Sequence, residues 1–167
     1  MEHFNGKNLL SEQRWRAMES LHLQTDAAGS HGFGAIFRKH WFNGLLPQII
    51  AALPITFKKL FPIVLSLEIW GPSLRNQCLI AHSDNAAVVY IVNKQTCKDT
   101  SIMVLVRRLV LACMKYSILL RASHIPGKHN TLSDILSRLQ VEEFHRLAPE
   151  MDQQPTHVPS GLLEVMF

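Results

Sequence analysis

The sequence predicts an α/β fold, a mixed five-stranded sheet with three antiparallel strands and then two parallel ones, flanked by helices. Five short runs read as strands, and the first three follow one another through turns. Helical apolar spacing fills the gaps before the fourth and fifth strands, so these arrive by crossover and run parallel to the first. With 167 residues, 47% hydrophobic and 18% charged, the chain suits one domain with a core and is too apolar to be wholly disordered.

Residues 1–20 are polar and weakly patterned. They read as a lead-in segment with a short helix around Ser11–Ser20, and Trp15, between Arg14 and Arg16, is placed to dock on the domain. Leu21 to Asp26 alternates with period two, the signature of a half-buried strand. Ala27 to Gly32 is the turn into a second strand, Gly32 to Arg38, and a third lies near His40–Leu45. Pro47 to Pro54 is a connector.

From Thr56 the pattern turns helical, with Leu60, Ile63, Val64, Leu67 and Trp70 on one stripe. Pro62 is expected near the first turn of this helix or at a kink, and Gly71-Pro72 ends it. Cys78 to Ser83 is a buried-type strand; Asp84 is well placed to cap the helix that follows, Ala86 to Asn93. A second amphipathic helix spans Ser101 to Met114, a strand Ile118 to His124, and a short helix Asn130 to Leu139. The domain is thus expected over residues 21–148. Residues 149–167, with Pro155 and Pro159, are expected to form a linker-like tail, mobile or loosely docked.

The net charge is +4, a mild excess that suits a nucleic-acid partner without requiring one. Cys78, Cys97 and Cys113 include no C-x-x-C spacing, which argues against a disulfide framework or zinc site and for a reducing compartment. No run of 18 apolar residues suggests a membrane span, and Met1-Glu2-His3-Phe4 does not open a signal peptide. The expected setting is intracellular, cytoplasmic or nuclear, with no membrane partner.

Acidic residues are scarce: between Ser20 and Val141 there are only Asp26, Glu68, Asp84, Asp99 and Asp134. If the first and fourth strands are adjacent and parallel, Asp26 and Asp84 can reach each other. Converging carboxylates without a basic partner repel unless a hard cation sits between them, which is the physical case for Mg²⁺ or Mn²⁺. The plain alternative is that Asp84 is only a helix cap and Asp26 only a turn residue.

Four further stretches belong with these carboxylates: Thr25-Asp26-Ala27-Ala28-Gly29-Ser30, Leu60-Phe61-Pro62-Ile63-Val64-Leu65, His82-Ser83-Asp84-Asn85 and His124-Ile125-Pro126-Gly127. Asn130, Asp134 and Leu136-Ser137-Arg138 follow, with His124 ten and Asn130 four residues before Asp134. In this order they resemble the ribonuclease H type 1-like domain of retroelement polyproteins, closest to DIRS-type retrotransposons, which carry a tyrosine recombinase. The resemblance covers about Leu21 to Leu139. It implies a ribonuclease H-like sheet and two-metal hydrolysis of the RNA strand in an RNA–DNA hybrid, the endonuclease task that accompanies reverse transcription. By this likeness Asp26, Asp84 and Asp134 match the first, third and fourth of the family's metal carboxylates, and His124 matches a loop histidine that assists proton transfer or product release. No reverse-transcriptase Y-x-D-D and no recombinase segment is visible, so the chain looks like a piece of a larger polyprotein or a short reading frame derived from one.

The second carboxylate position departs from the family. Glu is expected just before Leu-Phe-Pro, and Lys59 stands there. Glu68 does not replace it, because nine residues at ~100° each place it on the opposite side of the helix. The exchange removes a ligand and puts an ammonium where a dication would sit, which opposes metal binding by several kcal/mol in order of magnitude. Binding of Mg²⁺ or Mn²⁺ is therefore expected to be weakened or lost.

Arg107, Leu111 and Lys115 share a helix face, with Arg108 beside it and Lys94 before it, a candidate contact for a nucleic-acid backbone. A solvated basic surface is the alternative. Asn85 and Gln95 resemble polar residues that contact the hybrid near the site. His31, His40, His82 and His129 show no metal spacing. The functional expectation is a retrotransposon-derived ribonuclease H-like domain impaired by Lys59; the alternatives are a non-catalytic nucleic-acid or protein binding module, or a structural remnant.

Overall fold

The computed structural model describes residues 20–165. The expected lead-in, with Trp15, lies outside the described residues apart from Ser20. β1 (Ser20–Ala27), β2 (Gly32–Phe37) and β3 (His40–Leu45) form an antiparallel meander. Helices α1 (Gln48–Ala51) and α2 (Ile55–Trp70) lead through a 3₁₀ turn to β4 (Cys78–Ser83). Next come α3 (Ala86–Lys94), α4 (Thr100–Tyr116), β5 (Leu119–His124), α5 (Thr131–Ser137) and α6 (Val141–Leu147). The sheet order is β3-β2-β1-β4-β5, with β4 parallel to both β1 and β5. The expected mixed sheet, including its parallel half, is what the chain forms.

Two helices and one cap depart from expectation. The connector holds the one-turn α1, and α6 follows α5 where no element was expected. Asn85, not Asp84, is the N-cap of α3: its Oδ1 accepts from the Val88 N–H at 3.1 Å. That leaves the Asp84 carboxylate available for other partners.

α2 is the centre of the fold. Its expected stripe is buried, but so are Phe57, Phe61 and Leu65 around it, because the sheet packs on one side and α4 on another. Pro62 lies in the middle of α2 rather than at its first turn. Ser66 Oγ donates to the Pro62 carbonyl at 2.7 Å. On the opposite face of the sheet, a smaller cluster joins Ile36 and Trp41 to Ile135, Leu136 and Phe144 from α5 and α6. Contact there is close: a Cβ on Gly34 would lie 2.5 Å from the Leu136 Cβ.

The expected linker-like tail is held against the domain instead. The Asp152 N–H donates to the Lys39 carbonyl at 3.0 Å, and that of Thr156 to the Trp41 carbonyl at 2.7 Å, so the tail pairs with the free edge of β3. Trp41 Nε1 donates to the Asp152 carbonyl at 2.6 Å, and the Asp152 carboxylate takes His40 Nδ1 at 2.6 Å. Farther on, Val165 is buried in the main core. Pro155 and Pro159 reduce the chain's freedom here while edge hydrogen bonds and scattered apolar residues hold it, a pattern with no helical or alternating signature in the sequence.

Candidate functional site

The site forms at the C-terminal ends of β1 and β4. Gln24 pairs with His82 across these parallel strands, so the same register carries Asp26 to the height of Asp84, just past the end of β4. Asp26 is buried at 5% exposure, and Asp84 is 25% exposed. α2 enters beside them from Pro54 and presents Lys58 and Lys59. Lys58 Nζ donates to the Gly29 carbonyl at 2.6 Å, fastening α2 to the β1–β2 turn.

Lys59 Nζ donates to Asp26 Oδ1 at 2.8 Å and to Asp84 Oδ1 at 2.6 Å. One ammonium, 15% exposed, bridges two carboxylates. Burial pushes the Asp26 carboxyl above its usual 3.8, and the Lys59 hydrogen bond offsets only part of that push. Burial also disfavours the charged form of Lys59, but its bonds to the two carboxylates outweigh this and hold its pKa above the usual 10.5. Losing the ammonium would leave two close carboxylates in a half-dry setting, the strongly unfavourable half of a broken buried pair.

Asp134 lies nearby without completing a cluster. Its carboxylate receives Nε of Arg138, the residue that follows α5, at 3.1 and 3.2 Å. Ser137 is the link to β1: its Oγ donates to the Asp134 carbonyl at 2.7 Å and lies 3.4 Å from Asp26 Oδ2. The expected set of Asp26, Asp84 and Asp134 is therefore not assembled as three metal ligands. Among the described residues no group of three or more His, Cys, Asp or Glu is placed to hold a metal ion. With two of its three carboxylates bonded to an ammonium and the third to a guanidinium, the donor set does not fit Mg²⁺ or Mn²⁺.

The end of β5 and the loop after it close the site. His124 Nε2 stands 3.2 Å from the Asp84 carbonyl oxygen. A Cβ on Gly127 would lie 3.6 Å from Asp84 Oδ2, so the loop backbone runs close over the carboxylate. Asn130 is buried; its Nδ2 donates to the Thr25 carbonyl at 3.0 Å and its Oδ1 accepts from Ser133 Oγ at 2.5 Å. It ties the start of α5 to the residue before Asp26. Lys128 and His129 are exposed on this loop. Lys58, Ser137 and Lys128 were not among the residues expected to matter. Lys58 was legible only as the neighbour of Lys59, and Ser137 only as part of Leu-Ser-Arg.

The expected nucleic-acid set divides. Asn85 lies beside the site but spends its side-chain oxygen on the α3 cap. Lys94 and Gln95 are exposed at the far end of α3, Gln95 in a left-handed turn. Arg107 is exposed on α4, but Arg108 turns inward to Glu68. Lys115 Nζ lies 5.1 Å from the Tyr116 ring centroid. The Tyr116 carbonyl accepts from the Asn76 N–H, just before β4 begins, while Asp84 follows its end. The intervening strand spans ~20 Å, so Lys115 belongs to the opposite pole of the sheet from the carboxylates.

The chain matches no protein-family model and no curated protein. Among solved structures it is similar to RNase H1 of the halophilic archaeon Halobacterium salinarum, at 11% identity and TM-score 0.57, over 75% of this chain and 99% of that one. It is similar to the N-terminal RNase H domain of a Mycobacterium tuberculosis protein, at 12% identity and TM-score 0.57, over 77% and 98%. It is also similar to LC11-RNase H1, from a compost metagenome and solved in complex with an RNA/DNA hybrid, at 17% identity and TM-score 0.56, over 70% and 92%. At such identities the likeness is one of architecture: the chain has the ribonuclease H fold.

Proposed function

We propose that this chain is a nucleic-acid-binding domain of retroelement descent, related to the DIRS type, that takes an RNA–DNA hybrid and whose hydrolytic activity is impaired by Lys59. The observation that carries this reading is the Lys59 ammonium bonded to both Asp26 and Asp84. A hard cation needs free carboxylate oxygens, and each of these two carboxylates already gives one oxygen to the ammonium. The family's hydrolysis depends on the ligand set that Lys59 interrupts.

Binding places fewer demands on the site. A duplex backbone laid over the ends of β1 and β4 would meet His124 at the end of β5, Lys128 and His129 on the closing loop and Arg138 just past α5, all exposed. Such contacts give salt-dependent, largely sequence-independent affinity. Retroelement descent rests on the order and spacing of the motifs around Asp26, Asp84, His124, Asn130 and Asp134, and the domain would then derive from a longer polyprotein.

The test is fluorescence anisotropy on a labelled RNA–DNA hybrid at graded salt, with cleavage followed in parallel in Mg²⁺. Binding should weaken steadily with salt, with a slope of log affinity against log salt of roughly −1 per phosphate contact. Cleavage should be feeble and insensitive to Asp84→Asn. Vigorous Mg²⁺-dependent cleavage abolished by Asp84→Asn would overturn the reading.

A further inference from the structure

We infer that Lys59 is the permanent counter-ion of the Asp26–Asp84 pair, standing where that pair would otherwise collect a divalent cation, so that the domain engages nucleic acid without metal. The nucleic-acid half of this inference rests on the hybrid-binding reading; the counter-ion half stands on geometry alone.

Four features of the site agree on it. The ammonium bonds one oxygen of each carboxylate, at 2.8 and 2.6 Å, so a cation approaching the pair meets a positive charge already seated between them. The third acidic group that could draw an ion inward, Asp134, is bound to Arg138. Lys59 is also poorly placed to swing away. The residue before it, Lys58, is buried and fastened to the Gly29 carbonyl, which fixes this turn of α2 against the β1–β2 turn. Finally, an ammonium has three N–H donors and the carboxylates use two, leaving one to meet an incoming phosphate oxygen. Lys59 can therefore supply both parts of a metal's static role, relieving carboxylate repulsion and attracting a phosphate, without a metal's ability to acidify water.

The experiment is a calorimetric titration of the full chain with Mn²⁺ alone, in the wild type, Lys59→Glu and Lys59→Gln, with circular dichroism to verify folding. The wild type should give heats of dilution only. Lys59→Glu should bind Mn²⁺ at least ~10-fold more tightly than the wild type, because a repelling charge is exchanged for a ligand. Its melting temperature should rise with Mn²⁺ and fall on chelation. If Lys59→Glu fails to fold, Lys59→Gln, which removes only the ammonium charge, should still show Mn²⁺ binding that the wild type lacks. In a second arm, wild-type affinity for an RNA–DNA hybrid should agree within about twofold between EDTA and Mg²⁺ buffers of equal ionic strength. Wild-type Mn²⁺ binding as tight as that of the variants would overturn the counter-ion assignment. Hybrid binding lost in EDTA would overturn metal-free engagement. An absence of hybrid binding in both buffers would overturn the hybrid reading and leave the counter-ion assignment to stand on the calorimetry.

Discussion

Arg108 on α4 holds Glu68 on α2 through two hydrogen bonds, Nε to Oε1 at 2.9 Å and Nη2 to Oε2 at 2.6 Å. The same Nη2 donates to the Leu162 carbonyl at 2.9 Å, so one guanidinium joins two helices and the tail. Both side chains are about one-fifth exposed, at 20% and 19%, which makes this a half-buried pair rather than a surface one. Arg108→Ala should destabilise the fold by about 2–4 kcal/mol, since it strands a carboxylate and a carbonyl together. Arg108→Lys should recover little, lacking the planar fork. Urea denaturation gives the stability change, and limited proteolysis should show cleavage near residues 158–165 in Arg108→Ala before the wild type is touched. Because Arg108 faces inward, the variant's hybrid affinity should keep the wild-type salt slope.

Gly34 provides a test of the packing between sheet and α5. A Cβ there would lie 2.5 Å from Leu136 Cβ and 3.0 Å from the Ser137 nitrogen, neither of them the far end of a flexible side chain. Gly34→Ala must therefore push α5 outward. The expected cost is about 1–3 kcal/mol, measured by chemical denaturation. Because Ser137 lies against Asp26, the same displacement should loosen the site. Hydrogen exchange at α5 should speed up more than at α4.

The sheet was legible in the sequence because its signals are local: alternation in Leu21–Asp26, turn residues at Gly29 and Gly32, and helical spacing before each parallel strand. The proximity of Asp26 to Asp84 follows from that topology, as parallel neighbours bring strand ends together. Lys59 was legible as a charge on α2, but its shared bond needed the tilt of that helix. The direction of Asp134 was not legible, since Arg138 one turn away competes for it and side-chain choice inside a helix leaves no trace in spacing. Arg108 and Lys115 illustrate the same limit: a basic helix face is evident from sequence, but its distance from the site depends on which pole of the sheet that helix ends at. The tail was misread because edge pairing through Asp152 and Thr156 needs no apolar period.

The site should leave a mark on stability at both ends of the pH scale. Lys59 has a raised pKa, so the folded chain favours its charged form. Its contribution is fully present below the unfolded value near 10.5 and is lost as pH climbs through the higher folded value. Wild-type stability over Lys59→Met should therefore hold from neutral to about pH 10 and shrink above it. Asp26 behaves in the opposite sense from a well-paired surface carboxylate. Its pKa is raised by burial, so the folded chain binds its proton more readily than the unfolded chain. Its contribution is most favourable below 3.8 and falls as pH rises through the folded value. Relative to Asp26→Asn, the wild type should gain stability on acidification, read from urea midpoints between pH 3 and 7. A loss on acidification would mean that the Lys59 bond outweighs burial.

The last prediction concerns the other edge of the sheet. β5 is an edge strand, and Asn93 from α3 occupies part of its exposed hydrogen-bonding line. Asn93 Oδ1 accepts from the Ala122 N–H at 2.8 Å, and its Nδ2 donates to the Ala122 carbonyl at 3.0 Å. The side-chain amide thus pairs with the strand as a neighbouring peptide group would, satisfying both backbone groups of one residue. Asn93→Ala takes the partner from both backbone groups of the buried Ala122 and should cost about 1–3 kcal/mol. The larger effect should be on association. An edge relieved of its plug is a template for another strand, and β3 at the opposite edge is already covered by the tail. Sedimentation velocity over a concentration series should show Asn93→Ala self-associating at concentrations where the wild type does not. Asn93→Gln should not rescue it, because one more methylene carries the amide out of register with Ala122. Unchanged sedimentation in a variant that has lost the expected stability would show that the edge is guarded by its charged and polar residues, Arg121 and Ser123, rather than by Asn93.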